Sequence, residues 1–155
     1  KGRKHILLII REIINFEPDN KATNIDCALH FMTEAIKKKC AAFLISDFID
    51  DGDYSKSMTI ANRKHDLTAI QVYDKRDSKM PDVGLVRVVD SETGKEMWID
   101  TSSKRVRQLY DKAWYERQQR LYSITAKSGV DIASVATDED YVKSLLGLFK
   151  KRSIH

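Results

Sequence analysis

The chain has 155 residues, 42% of them hydrophobic, and 27 basic against 23 acidic side chains leave a formal charge of +4. That length suits a single domain with room for a core, and a basic excess spread this thinly does not define a nucleic-acid binder. No apolar run approaches the ~20 residues that cross a bilayer and no secretory signal stands at the start, so no membrane contact by this segment is expected.

The opening KGRKH reads as the interior of a longer chain. Cys27 and Cys40 have no metal-type spacing, and they read as free, reduced thiols of a cytoplasmic protein. In chain order, Ile6, Ile9, Ile10, Ile13 and Ile14 fall at helical spacing within 4–15, with Pro18 soon after. A polar loop leads to a second helix from about Asn24, striped by Ala28, Leu29, Met32, Ala35 and Ile36. Lys37, Lys38 and Lys39 suit the negative end of its dipole. AAFLIS at 41–46 is a continuous apolar run, as in a strand buried on both faces of a parallel sheet.

SKSMTIANR at 55–63 reads as a short helix and DLTAIQVYD at 66–74 as a second strand. The runs GLVRVVD and KEMWID flank the turn SETG, so 84–99 reads as a hairpin. A long helix over 102–127 would turn Val106, Leu109, Ala113, Leu121 and Ile124 inward and end at Gly129. VDIASVA is a third strand, and Thr137 opens a last helix carrying Leu145, Leu146, Leu148 and Phe149. This order predicts an α/β fold, a mostly parallel sheet with helices on both faces and an inserted hairpin.

In such sheets ligand groups collect beyond the carboxyl ends of the strands, where Asp47 and Asp74 fall. A carboxylate on a rigid strand end can anchor a hard divalent cation. The commoner use of Asp47, Asp50 and Asp51 is to polarise the loop and cap the helix beginning near Tyr54. Thr23, with Asp26 three residues on, likewise resembles a capping box. The four histidines show no ligand spacing, the glycines form no phosphate loop, and Ser46 lacks the setting of a nucleophile elbow. Trp114, Tyr115 and Tyr122 read as helix packing, and the basic stretch 104–120 as a solvated face.

Four motifs together resemble the bacterial domain-of-unknown-function family 58: Lys64-His65-Asp66, Asp74 to Gly84, Asp90 to Gly94, and TDED at 137–140. That family is similar to the carboxyl-terminal part of a von Willebrand factor A domain. The resemblance implies a truncated, Rossmann-like three-layer sandwich, with 1–155 as one partial domain and 84–99 as its hairpin insertion. It also implies part of a metal-ion-dependent adhesion site. Thr23 in KATNIDCAL and Asp47 in ISDF match its second and third elements, with Ser46 as a further donor. The D-x-S-x-S element is missing, so Mg²⁺ is expected in an intact protein and not in this segment.

The implied role is a non-enzymatic interaction module, an adaptor for a MoxR-type AAA+ ATPase, anchored to a membrane through a preceding part. The missing strands would leave 40–47 as an open apolar edge through which the chain self-associates. The rival function is metal-dependent phosphoryl transfer using Asp47, against which stands the absence of a D-x-D-x-[TV] pattern.

Overall fold

The computed structural model describes residues 2–17, 22–90 and 94–152. The first half runs α1 (Arg3–Asn15), α2 (Ile25–Ala35), β1 (Ala41–Ser46), α3 (Ser55–Lys64), β2 (Asp66–Tyr73) and α4 (Lys75–Ser78). The second half runs β3 (Leu85–Val89), β4 (Glu96–Asp100), α5 (Lys104–Ser128), β5 (Asp131–Ala136) and α6 (Tyr141–Arg152). The alternation expected from sequence is present, and it produces a parallel three-stranded sheet in the order β1-β2-β5. β3 and β4 pair separately as an antiparallel hairpin, whose turn residues 91–93 lie outside the described ones, as does Pro18.

The two faces of the sheet are covered differently. Leu67 and Ala69 of β2, with Ala42 and Leu44 of β1 and Ile132 of β5, pack against Ile25 and Leu29 of α2, Met58 and Ala61 of α3, and Leu121 and Ile124 of α5. The opposite face carries α6, whose Phe149 meets Phe43 edge-on at 6.2 Å between ring centres. Arg152 at the end of α6 bonds the Thr68 hydroxyl and the Asp66 carboxylate, fixing the helix across β2. Helices therefore lie on both faces of a parallel sheet, a Rossmann-like arrangement.

Several expectations need correction. β1 is not buried on both faces: it is an edge strand with alternating exposure, Phe43 at 48% and Ile45 at 64%, because α6 reaches only as far as Phe43. In α1 the isoleucine stripe buries nothing; every described residue of that helix is exposed. Leu109 is 58% exposed, since the first turns of α5 lie beside α4 and the segment that follows it, through Tyr110 to Arg76 O and Arg107 to Asp82, and only its later turns reach the core. Ala28, Ala35 and Ile36 are exposed while Leu29 is buried, so the stripe of α2 is narrower than its composition suggests. Lys37, Lys38 and Lys39 stand beyond the helix end.

Helix boundaries follow the local caps. Gly129 closes α5 in the left-handed region at φ 66°, where a Cβ would be strained, and its N–H returns to Ala126 O and Thr125 O. Asn62 then donates to the carbonyls of Ser128 and Gly129 at 3.0 and 2.9 Å, locking α3 to that turn. The last helix begins at Tyr141 and not at Thr137, whose N–H bonds Tyr73 O across the sheet end. The four-residue helix α4 was not legible in KRDS; it exists because Asp74 and Asp77 cap it reciprocally.

Candidate functional site

The carboxyl end of the sheet is where the acids singled out above arrive. Ser46 ends β1, and the chain then turns sharply: Phe48 N–H donates to Ser46 Oγ at 3.0 Å and Ile49 N–H to Asp47 Oδ1 at 3.1 Å. Phe48 sits at φ 58°, a costly conformation for a non-glycine residue. The turn sends its ring into the core at 6% exposure, beside Tyr54, and leaves Asp47 exposed. Asp74, after β2, is taken up as the cap of α4, accepting from Arg76 N–H at 2.8 Å.

The expected caps are made by other residues. Asn24, not Thr23, is the N-cap of α2, its Oδ1 accepting from Cys27 N–H at 2.8 Å. Asp53, not Asp47, Asp50 or Asp51, holds the start of α3, accepting from the Ser55 hydroxyl at 2.6 Å and its N–H at 3.1 Å. Those two bonds, the hydroxyl first, hold the Asp53 carboxyl below the ordinary range, and Arg120 adds to the effect. Asp50 crosses to the other loop: its Oδ2 accepts from Ile25 N–H at 2.8 Å and its Oδ1 from Gly52 N–H at 2.7 Å. A Cβ at Gly52 would meet Asp50 Oδ1 at 2.9 Å, so this carboxylate position needs glycine there.

Thr23 and Asp47 therefore stand on two segments that Asp50 ties together, Thr23 half-buried and two residues before Ile25, Asp47 exposed and three before Asp50. From the far side, Arg120 of α5 donates to the carbonyls of Asp50 and Asp51, both at 3.3 Å, and to that of Gly52. Its guanidinium lies 5.9 Å from the Tyr54 ring centre. Burial pushes the Tyr54 phenol up.

Beneath the loop lies a row of polar side chains that the apolar reading of the strands missed. Ser46, Gln71 and Ser134 are in register across β1, β2 and β5. Gln71, 1% exposed, accepts from Ser134 Oγ at 2.9 Å and donates to Asp47 O at 3.4 Å, while Ser134 shares a 3.0 Å bond with the Tyr122 hydroxyl. The signal available in sequence was one polar residue near the carboxyl end of each apolar strand.

Among the described residues no three His, Cys, Asp or Glu side chains gather into a group that could hold a metal ion. Thr23, Asp47 and Ser46 offer too few oxygens for an octahedral Mg²⁺ shell. Asp47 Oδ1 is also engaged by Ile49 N–H and, at 3.4 Å, by the Ser46 hydroxyl. These residues alone do not fit a divalent cation.

Sheet, flanking helices and loop-rich carboxyl rim define an α/β protein of Rossmann-like build. The chain belongs to the family described as "Protein of unknown function DUF58", which it matches over residues 1–120. It is 28% identical over 118 residues to the uncharacterized protein MAV169 of Mycobacterium avium, covering 75% of this chain and 68% of that one. It is 24% identical over 155 residues to the uncharacterized proteins Mb1516 of Mycobacterium bovis and Rv1480 of Mycobacterium tuberculosis, covering 97% of this chain and 48% of each relative. The chain thus spans about half the length of those two relatives. No solved structure matches it significantly. No helix among the described residues is long and apolar enough to cross a membrane.

Proposed function

We propose that this chain is a non-enzymatic docking module of von Willebrand factor A-like build, acting as a cytoplasmic adaptor through the rim that carries Asp47 and Thr23. The observation that carries this reading is the state of Asp47. It is exposed, yet its position is set by a turn bonded at Ser46, Ile49 and Gln71 and braced by Asp50. A fixed, solvent-facing carboxylate suits recognition of a partner's cation or of a bridging metal. Its carboxylate accepts from the Ile49 N–H and the Ser46 hydroxyl of its own loop, which holds it as a positioned recognition group.

The partner to which the family resemblance points is a MoxR-type AAA+ ATPase. In the intact protein a D-x-S-x-S loop would complete Mg²⁺ binding beside Thr23 and Asp47. The test is capture of such an ATPase by the intact protein, unaltered and with Asp47→Arg. Loss of capture in the variant, with an unchanged thermal melt, is expected; equal capture would end the proposal. For the chain as it stands, calorimetry with Mg²⁺ and Mn²⁺ is expected to show no micromolar binding, and a micromolar signal would mean that the rim already holds a complete site. A phosphatase activity abolished by Asp47→Asn would establish the enzyme reading instead.

A further inference from the structure

The opposite, amino-terminal end of the sheet brings together two side chains that sequence spacing keeps apart. Cys40 immediately precedes β1 and His65 immediately precedes β2. The two strands are parallel neighbours, with Ala41 opposite Asp66 and the Asp66 N–H bonded to Cys40 O at 2.8 Å. Cys40 Sγ consequently lies 3.5 Å from His65 Nδ1. His65 is only 1% exposed, and its Nε2 is buried with no hydrogen-bond partner. An imidazole held this tightly, with one nitrogen unsatisfied and the other on a sulfur, is more than packing requires. Cys40 itself is half-buried, and the three residues before it, Lys37, Lys38 and Lys39, are exposed cations.

We propose that Cys40 is a modification site, a thiol that exchanges with anionic low-molecular-weight disulfides of the glutathione type, with His65 as its base. A thiol attacks as thiolate, and an imidazole nitrogen 3.5 Å from the sulfur stands where it can take the thiol proton during the attack. His65 Nδ1 takes the proton as the Cys40 sulfur bonds to the incoming sulfur. The disulfide's own S–S bond breaks, its second sulfur leaves as a thiolate, and the proton passes to that leaving group. Cys40 ends in a mixed disulfide and one equivalent of free thiol is released, with no other oxidant required. The lysines select carboxylate-bearing disulfides over neutral ones by attraction.

Cys27 is an internal reference, since it is exposed, free and in the first turn of α2. The experiment treats the full chain with oxidised glutathione near neutral pH and follows both cysteines by mass spectrometry of their peptides. Cys40 is expected to form its adduct at least about tenfold faster than Cys27, the low end of assistance by a positioned base discounted for partial burial. Equal or faster reaction at Cys27 overturns the proposal. His65→Asn should slow Cys40 alone, with His65→Gln as the second variant if the first does not fold; an unchanged Cys40 rate in a folded variant also overturns it. If neither folds, the Cys40-to-Cys27 ratio of the unaltered chain decides. Replacing Lys37, Lys38 and Lys39 by Gln should slow oxidised glutathione but not bis(2-hydroxyethyl) disulfide, and equal slowing of both would refute the selectivity.

Discussion

Arg120 shows how much of the rim depends on single side chains. It sits on α5 and binds three successive carbonyls of the Asp50–Gly52 loop while covering the Tyr54 ring. Hydrogen bonds from a charged donor contribute about 1.5–3 kcal/mol each when shielded, and less at this exposed site. Arg120→Ala is therefore expected to cost about 1–2 kcal/mol in urea unfolding. Arg120→Lys should recover only a minor part, because one ammonium cannot reproduce the planar fork. Asp53 and Asp100 act through pH. Each accepts from a serine hydroxyl and N–H two residues on, Ser55 and Ser102, and each carboxyl is held below its usual range chiefly by that hydroxyl. A group whose pKa is lower folded than unfolded stabilises the fold above its ordinary value. That contribution is lost as pH falls through the folded pKa. Thermal melts should thus fall off below about pH 4, and Asp53→Ala with Asp100→Ala should flatten that acid limb; an identical limb in the double variant would refute the assignment.

Among the elements, α1 stands apart. None of its residues is buried, so its apolar side chains contribute little to holding the fold. Deleting residues 2–17 is expected to change the unfolding free energy by less than about 0.5 kcal/mol. A larger loss would show that α1 packs in solution. The same helix explains what sequence could and could not reveal. Its 3.6-residue pattern correctly gave a helix, but periodicity reports an apolar face and not whether anything covers it. Likewise AAFLIS gave a strand, but its apolar run suggested burial on both faces; the edge position came only from the family resemblance, because it depends on which strands lie beside it, a property of topology. Asp53 and Asn24 took the capping roles expected of Asp47, Asp50, Asp51 and Thr23 because Asx bonding is decided by one residue's shift in a loop. The Arg120–Asp50 and Gln71–Ser134 bonds join residues 70 and 63 positions apart, beyond any local pattern.

At the scale of the whole molecule, the open edge of β1 has a chemical direction. The strand is entered from Lys37, Lys38 and Lys39 and left through Asp47, Asp50 and Asp51, with no charge between Ala41 and Ser46. Natural edges are commonly protected by inward charges, prolines or bulges, and β1 has none of these between its ends. A second copy pairing antiparallel across a two-fold axis would set the lysine end of each β1 beside the aspartate end of the other. Parallel pairing would align like charges instead. Ile45, 64% exposed, would be flanked by the partner's strand on the same apolar face. One short strand pair buries less than the ~1,000 Å² of a stable interface, so the expected dimer is weak, forming at roughly 100 µM and weakening with added salt. Light scattering across a concentration series tests this. Ile45→Lys should abolish association, and reversing Lys37, Lys38 and Lys39 to Glu should do the same. Combining that reversal with Asp47→Lys, Asp50→Lys and Asp51→Lys should restore pairing, because the antiparallel register exchanges the two ends. A chain that stays monomeric at millimolar concentration, or a charge swap that fails to rescue in a folded variant, would exclude this pairing.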